Sequence, residues 1–220
     1  MQNNEIYANS AEYWQQKLGK FTASGVSKLF VDAKTDKNSF GVAAMTYIKE
    51  KACEVLSGKP QDVYAKSLEY GNTLEPEAVK FYEYLNNVKL KYTGDKQKFF
   101  ELGKDSGGTP DGLIKKDGTF EAKCPFNRTE HLENLLFVTQ EDFRKYHKDY
   151  YTQIQTCLAA TNRKYCDFFS FCPYMYNEKL ISKTLRIERD EPLIIEIQER
   201  VERAAKIRDE IIFNVLKINL

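Results

Sequence analysis

The spacing of apolar residues predicts helices at both ends of the chain and strands between them. Three- and four-residue steps predict helices over 40–56 and 65–85, a mostly helical stretch over 128–165 and an amphipathic helix at about 191–216. Alternation predicts strands over 88–92, 97–102, 165–173 and 179–189, and a hairpin of 109–114 with 119–123. This order of elements predicts an α/β fold in which helices cover the faces of a sheet.

Charged residues interrupt the apolar runs of the predicted central hairpin. Asp111 heads the first run, and Glu121 and Lys123 lie two residues apart in the second. Alternate residues of a strand share a face, so Glu121 and Lys123 project together while Phe120 and Ala122 face the other way. Two carboxylates and an ammonium are costly to bury unless a hard cation with oxygen ligands neutralises the acids. The hairpin therefore predicts a metal site.

Asp111, Glu121 and Lys123 suit metal-dependent cleavage of a phosphodiester. A metal held by the acids polarises the scissile phosphate and lowers the pKa of a bound water. The lysine orients or deprotonates that water and offsets charge in the transition state. Short acidic and basic runs also occur by chance, so the three residues alone are equally compatible with a structural role.

Two features outside the hairpin have alternative interpretations. Thr22 and Ser24 are good N-cap residues for a helix that begins there, and this helix N-terminus either binds a phosphate or is a plain cap. Glu75 follows the apolar Leu74, so periodicity alone predicts a solvated helix charge. Pro76 would kink that helix unless it lies in a first turn.

Length and composition are those of an ordinary globular protein. The 220 residues carry 42% hydrophobic and 30% charged residues, a net charge of +1 and no linker-like segment, which predicts a single domain over 1–220. No apolar run is long enough to cross a membrane and the N-terminus lacks a signal peptide, so we expect a cytoplasmic protein.

Cysteine and histidine add no site of their own. The five cysteines, at 53, 124, 157, 166 and 172, include no Cys-x-x-Cys pair. We expect reduced, buried structural thiols, and neither a disulfide framework nor an iron–sulfur cluster. His131 and His147 pair with no motif, and we expect them at the surface or in helix packing.

The hairpin motif also resembles a known signature. Pro110-Asp111-Gly112 with Glu121-Ala122-Lys123-Cys124-Pro125 resembles the PD-(D/E)xK nuclease motif, in the form found in phage lambda exonuclease and its YqaJ-type viral recombinase relatives. Further stretches agree in the family's order, namely 22–24, 70–77 and 150–155, followed by 166–168 and 172–173. The resemblance spans roughly 14–173 and implies a restriction-endonuclease-like core with a central mixed β-sheet.

The resemblance implies a role for each matching residue at the metal site. Asp111, Glu121 and the Ala122 backbone carbonyl would bind metal, and Glu75 would help to hold a second ion, against the periodicity-based expectation. Lys123 would act on the water. The implied cofactor is Mg²⁺, with Mn²⁺ as a substitute and two ions in each site. The implied catalytic set is Asp111, Glu121, Lys123, Glu75 and Gln153, in which Gln153 hydrogen-bonds near the metal or the lysine.

A second implied site binds the terminal 5′ phosphate of DNA. It would be formed by Ser24 and Thr22 with basic residues nearby. Lys17 lies nearest to the position of the family's phosphate-binding arginine, although the spacing to Thr22 is one residue short. A lysine lacks the bidentate fork of an arginine, so Lys20 would share the role or phosphate binding would be weaker.

The activity implied is Mg²⁺-dependent 5′-to-3′ digestion of one strand of double-stranded DNA. The product would be a 3′ single-stranded overhang for a single-strand annealing recombinase, and the enzyme would be a homotrimeric ring that threads the duplex. A structure-specific endonuclease and a non-catalytic DNA-end-binding recombination module stay open as alternatives. Candidate channel residues, equally compatible with ordinary solvated faces, are Lys96, Lys98, Arg128, Arg144, Lys145 and Lys148.

Overall fold

The computed structural model of the chain describes residues 6–8, 10–34, 36, 39–60 and 66–219, and only the backbone of 66–72. Residue 65, where a helix was expected to begin, and the side chains of 70–72 lie outside the described part. The helices are α1 (Ala11–Lys17), α2 (Ala23–Val26), α3 (Val42–Ser57), α4 (Lys66–Asn86), α5 (Arg128–Leu136), α6 (Gln140–Tyr146), α7 (Lys148–Thr161) and α8 (Glu191–Ile218). The strands are β1 (Phe21–Thr22), β2 (Leu90–Lys91), β3 (Phe100–Leu102), β4 (Ser106–Gly108), β5 (Gly112–Ile114), β6 (Gly118–Lys123), β7 (Tyr165–Phe171) and β8 (Ser182–Glu188).

The main sheet has five strands in the order β2-β5-β6-β7-β8. Only β6 and β7 are parallel, and the chain between them forms α5, α6 and α7. The remaining neighbours are antiparallel. A second, three-stranded sheet has the order β1-β4-β3. The predicted α/β fold with a mixed sheet flanked by helices is confirmed.

The central hairpin forms between β5 and β6. Gly112 pairs with Phe120 and Ile114 pairs with Gly118 in antiparallel register. The predicted hairpin of 109–114 with 119–123 is therefore confirmed in its paired part. Asp111 lies immediately before β5, opposite the C-terminal end of β6, which carries Lys123.

Alternation along β6 and β7 separates two apolar clusters, one on each face of the sheet. Phe120 and Ala122 pack with Phe169 and with the α4 residues Leu74 and Tyr82. Residues of β7 that face the other way, such as Phe168, pack against α3, α7 and α8. Glu121 and Lys123 alternate with Phe120 and Ala122, so they project toward α7.

Several predicted boundaries change. The helical stretch over 128–165 consists of three helices, because the chain turns extended at Phe137 and Thr139 caps α6 by accepting a hydrogen bond from Asp142 N. The strands over 88–92 and 97–102 shorten to β2 and β3, with a 3₁₀ turn at Gly94–Lys96 between them. The strands β1 and β4 were not predicted, since each has only two or three residues.

Other local predictions have mixed outcomes. α2 begins after Thr22, as expected, but the Thr22 side chain makes no capping bond. α4 continues through Pro76. α3 ends at Ser57 and is capped by Gly58, whose φ of 68° suits glycine. Within the described chain, no helix is long and apolar enough to span a bilayer.

The cysteines differ in exposure. Cys124, Cys157, Cys166 and Cys172 are buried, as expected, but Cys53 is exposed. The expectation was wrong for Cys53, because α3 buries Ala52 and Ile48 and turns Cys53 outward. Burial raises the pKa of the Cys157 thiol well above its ordinary value, so this side chain stays protonated.

Candidate active site

Asp111 is fixed by the backbone of the neighbouring strand. The Ala122 amide donates a hydrogen bond to Asp111 Oδ2 at 2.8 Å. Because Asp111 precedes β5 and β5 pairs with β6, the hairpin itself brings this carboxylate beside Ala122. The carbonyl of the same residue, Ala122, is the implied backbone ligand.

Glu121 and Lys123 form a buried ion pair on the α7 side of β6. Lys123 Nζ donates to Glu121 Oε1 at 2.7 Å, and Gln153 Nε2 from α7 donates to the same oxygen at 2.6 Å. Glu121 is only 2% exposed. Lys123 Nζ also lies 4.8 Å from the centre of the Tyr150 ring. Gln153 is thus placed where the resemblance implied, and Tyr150 is an additional neighbour of the lysine.

Glu75 reaches the same cluster from α4. Gln97 Nε2 donates to Glu75 Oε1 at 2.9 Å and to Asp111 Oδ1 at 3.3 Å, so one amide joins the two carboxylates. The expectation from periodicity, a solvated helix charge, was wrong, because Glu75, in the middle of α4, is half-buried and accepts a hydrogen bond from Gln97. Sequence reasoning missed Gln97, which belongs to no motif and is marked only by its position before an apolar run.

The carboxylates repel one another. Burial and the negative charge of Glu121 raise the pKa of Glu75 from 4.5 to about 7. Burial, Glu121 and Glu75 raise the pKa of Asp111 well above its ordinary value. Burial works to lower the pKa of Lys123, but Glu121 and Asp111 outweigh it and hold that pKa above its ordinary value. The negative charge of the three carboxylates therefore exceeds the positive charge of the one ammonium.

The donor set fits a hard divalent cation. Three carboxylates and the Ala122 carbonyl are oxygen donors of the kind that Mg²⁺ binds, and their mutual repulsion is what a cation would relieve. Among the described residues, no three His, Cys, Asp or Glu side chains already surround one ion position. Lys123 and Gln97 instead engage oxygens that a cation would share.

The region of the implied phosphate site is less closely assembled. The hydroxyls of Thr22 and Ser24 lie 3.5 Å apart. Lys17 Nζ donates to Tyr13 Oη at 3.3 Å and lies 4.9 Å from the centre of the Trp14 ring. Lys20 forms an ion pair with Glu101. Both lysines therefore have partners within the chain that a phosphate would have to displace or share.

Two contacts connect this region with the carboxylate cluster. The Tyr13 hydroxyl and Thr109 Oγ1 are 2.9 Å apart, two residues before Asp111. β1 pairs with β4, and at Gly108 a Cβ would lie 2.7 Å from Cys157 Sγ and 3.1 Å from Ala23 Cβ. Only glycine permits this close approach of α2 and α7 to β4.

The candidate channel residues are only partly free to bind DNA. Arg144 bonds to Asp190 at 2.9 Å, Lys98 lies 4.9 Å from the Tyr92 ring centre, and Arg128 lies 5.7 Å from that of Tyr174. These contacts leave the channel assignment a prediction.

A second charge cluster, around the buried Asp167, lies on the same sheet. Arg186 donates to both oxygens of Asp167, at 2.8 and 3.0 Å, and the Tyr82 hydroxyl donates to Asp167 Oδ2 at 2.6 Å. Asp167 lies on β7 and Arg186 on β8, directly opposite each other. This cluster contains one acid and one base.

Comparisons with known proteins agree with this geometry. Residues 12–164 match the family described as the YqaJ-like viral recombinase domain. No curated protein sequence matches the chain.

Similar solved structures extend the likeness over nearly the whole chain. The chain is 27% identical to LHK-Exo, an alkaline exonuclease from Laribacter hongkongensis, over 96% of this chain and 98% of that one, with a TM-score of 0.79. The complex of LHK-Exo with dAMP gives the same identity and coverage, with a TM-score of 0.80.

A phage-related exonuclease from Haemophilus somnus 129PT shares the fold. It has 22% identity, a TM-score of 0.72 and coverage of 89% of this chain and 96% of that one. The matched residues include every member of the carboxylate cluster, from Glu75 to Gln153. The chain therefore belongs to the YqaJ-like viral recombinase domain family.

Proposed function

We propose that this chain is a Mg²⁺-dependent 5′-to-3′ exonuclease that digests one strand of double-stranded DNA from its ends. The observation that carries the proposal is the crowding of three carboxylates and one ammonium at the end of β6. Family membership and the likeness to an alkaline exonuclease support the same reaction class. The product would be a 3′ single-stranded overhang.

The residues divide the work by their chemistry. Asp111, Glu121, Glu75 and the Ala122 carbonyl would hold divalent ions, most simply two Mg²⁺, with Mn²⁺ as a substitute. Bound there, the ions supply Lewis-acid polarisation of the phosphate and a water of lowered pKa. Gln153 fixes the orientation of Glu121 through its 2.6 Å bond.

Lys123 is suited to two roles. Its ammonium, 2.7 Å from Glu121 and next to Asp111, offsets negative charge that develops on the phosphate. If bound cations neutralised those acids, burial would remain to lower the pKa of Lys123 and would favour the neutral amine, the form that can accept a proton from water. Tyr150 limits the directions in which the side chain can move.

The polarity of digestion is proposed to come from the phosphate region. Ser24 and Thr22 would donate hydroxyl bonds to a terminal 5′ phosphate, and Lys17 and Lys20 would supply charge. Tyr13 and Thr109 connect that region with the carboxylate cluster. A 5′-phosphorylated end should therefore be digested faster than a 5′-hydroxyl end.

The partners follow from the reaction. Double-stranded DNA ends would be the substrate, a homotrimeric ring would retain the duplex, and a single-strand annealing recombinase would receive the overhang. Sedimentation equilibrium tests the ring. A protein that is purely monomeric and still digests DNA processively would contradict it.

A time course on linear duplex labelled at one 5′ or one 3′ end tests the activity. With Mg²⁺, 5′ label should be released at once and 3′ label only late; without Mg²⁺, neither should be released. Equal digestion of closed-circular duplex would favour a structure-specific endonuclease. A Lys123→Ala variant as active as wild type would favour a non-catalytic end-binding module and another source of the cleavage.

A further inference from the structure

Exposed aromatic residues follow both of the parallel central strands. Lys123 and Ser170 are register partners at the ends of β6 and β7. Phe126 comes three residues after Lys123, and Tyr174 four residues after Ser170. Because the two strands run parallel, their following segments leave the sheet at the same edge, where Lys123 lies.

These rings are presented to solvent, and a cation lies beside one of them. Phe126 is 70% exposed and Tyr174 is 57% exposed, and Tyr176 is fully exposed. The Arg128 guanidinium carbon lies 5.7 Å from the centre of the Tyr174 ring. We call Phe126, Arg128, Tyr174 and Tyr176 the aromatic patch. Several large exposed rings on segments that leave the sheet at the same place indicate a binding surface, which a single exposed ring does not.

A buried histidine holds the two halves of the aromatic patch together. His131, on α5, is 0% exposed. Its Nε2 lies 2.8 Å from the Leu180 carbonyl, and its Nδ1 lies 2.8 Å from Ser170 Oγ. A carbonyl only accepts, so Nε2 carries the proton. His131 thus joins α5, which begins at Arg128, to β7 and to the turn that follows Tyr176.

This anchoring matters for binding. A surface whose backbone is already fixed loses less conformational entropy when a ligand binds. The aromatic patch is therefore a prearranged surface at the edge that carries Lys123, and α5 has no need to move to complete it.

We propose that the aromatic patch is a stacking site for unpaired bases of a DNA strand. Aromatic faces stack with any base, and a neighbouring arginine contributes cation–π and phosphate contacts. Bases of an intact duplex are stacked inside it, so only unpaired bases can use these faces. Digestion of one strand creates such bases at this edge, and in that respect the inference rests on the proposed function.

Binding in a chelator tests the site without cleavage. Wild type and variants are titrated by fluorescence anisotropy with a labelled oligothymidylate and with an abasic strand of the same length and charge. Wild type should bind the oligothymidylate at least about tenfold more tightly, and Phe126→Ala or Tyr174→Ala should each lose roughly tenfold for that strand alone.

Matched variants separate the ring from the fold. Tyr174→Phe keeps a ring and should retain tight binding. Tyr84→Ala removes a tyrosine of α4 that is more exposed than Tyr174, and it should leave binding unchanged. Arg128→Gln should lower the affinity for both strands and reduce the salt dependence of binding.

Equal affinity of wild type for the two strands, or wild-type affinity in both alanine variants, would overturn the proposal. So would variants whose only change is a lower mass in sedimentation, since that result assigns the patch to contacts between copies. Base-dependent binding without cleavage of labelled duplex would sink the proposed nuclease function and leave the stacking site. Cleavage of labelled duplex without base-dependent binding would overturn the stacking site and leave the proposed nuclease function.

Discussion

Two charge clusters, each around a buried carboxylate, share the central sheet and are balanced in opposite ways. Around Asp167, one carboxylate receives two bonds from Arg186 and one from Tyr82. Around Glu121, three carboxylates share the ammonium of Lys123 and the amides of two glutamines. The first cluster is complete within the chain, whereas the second carries surplus negative charge.

The difference separates structural from functional charge. A balanced cluster can persist because it is satisfied, although a buried ion pair adds little stability over an apolar substitute. An unbalanced cluster lowers stability, as the pKa of about 7 at Glu75 indicates, and such a cost is typical of sites that act on a ligand. Removing a charge should therefore have opposite consequences in the two places.

The largest expected effect is on cleavage. Asp111→Asn and Glu121→Gln should each reduce it by roughly a thousandfold, since several kcal/mol of transition-state stabilisation is lost. The melting temperature should stay equal or rise, because one of the repelling acids is gone. Asp95→Asn, at an exposed turn, is the control. Unfolding of both site variants would instead assign these acids a structural role.

Next comes the response to Mg²⁺ and pH. The folded pKa of Glu75, about 7, exceeds its ordinary 4.5, so the folded state holds this proton more tightly. Its contribution to stability is complete at pH values below 4.5 and is lost as the pH rises through about 7. Calorimetry should therefore show the metal-free protein losing stability between pH 5 and 8.

Mg²⁺ should reverse that loss. At about a hundred times its Kd it contributes about 2.7 kcal/mol, or roughly 5–10 °C, and more at pH 8 than at pH 5. Glu75→Gln should flatten the pH dependence of the metal-free protein. A Mg²⁺ effect that is equal at both pH values would contradict the assignment of Glu75.

In the balanced cluster around Asp167, removal of a charge should lower stability and leave cleavage unchanged. Arg186→Leu leaves the Asp167 charge without its cation and should cost about 2 kcal/mol, less than for a fully buried pair because Arg186 is half exposed. The melting temperature should fall by roughly 4–8 °C, while cleavage at low temperature stays at the wild-type rate. Lys206→Leu, in an exposed pair with Glu202, should leave the melting temperature unchanged.

The smallest effect should come from Gln97. Gln97→Ala frees Glu75 and Asp111 from their shared amide, and the Mg²⁺ concentration for half-maximal cleavage should rise about tenfold. Gln140→Ala removes an amide that bonds to Glu188 N and serves as the matched control. An unchanged Mg²⁺ requirement would show that Gln97 does not position the carboxylates.

Local sequence patterns predicted the features of the site that depend only on residues of one hairpin. Alternation over six residues places Glu121 and Lys123 on one face of β6, and the turn between β5 and β6 brings Asp111 beside them. The same patterns failed at Glu75, because helix periodicity reports the average face of α4 and not which groups from other elements approach one position on it. Family resemblance, which carries tertiary information, implied a place for Glu75 at the metal site, and that role stays a prediction.

Contacts across long separations were not predictable. Gln97 meets Glu75 and Asp111 only because α4, the segment before β3 and β5 converge. The breaks between α5, α6 and α7 were hidden by apolar spacing that continues through them, although Thr139 with Asp142 was a readable cap. The catalytic and metal-binding roles of the site residues, and the phosphate site, stay predictions.

The parallel pairing of β6 with β7 also bears on how the protein folds. The two strands that flank the site are separated by three helices, so their pairing closes a long loop and raises the contact order. Gln153 lies within that loop, and its bond to Glu121 needs α7 to dock on β6. During refolding, helical signal should therefore appear first and cleavage last, which keeps a half-folded chain from acting as a nuclease.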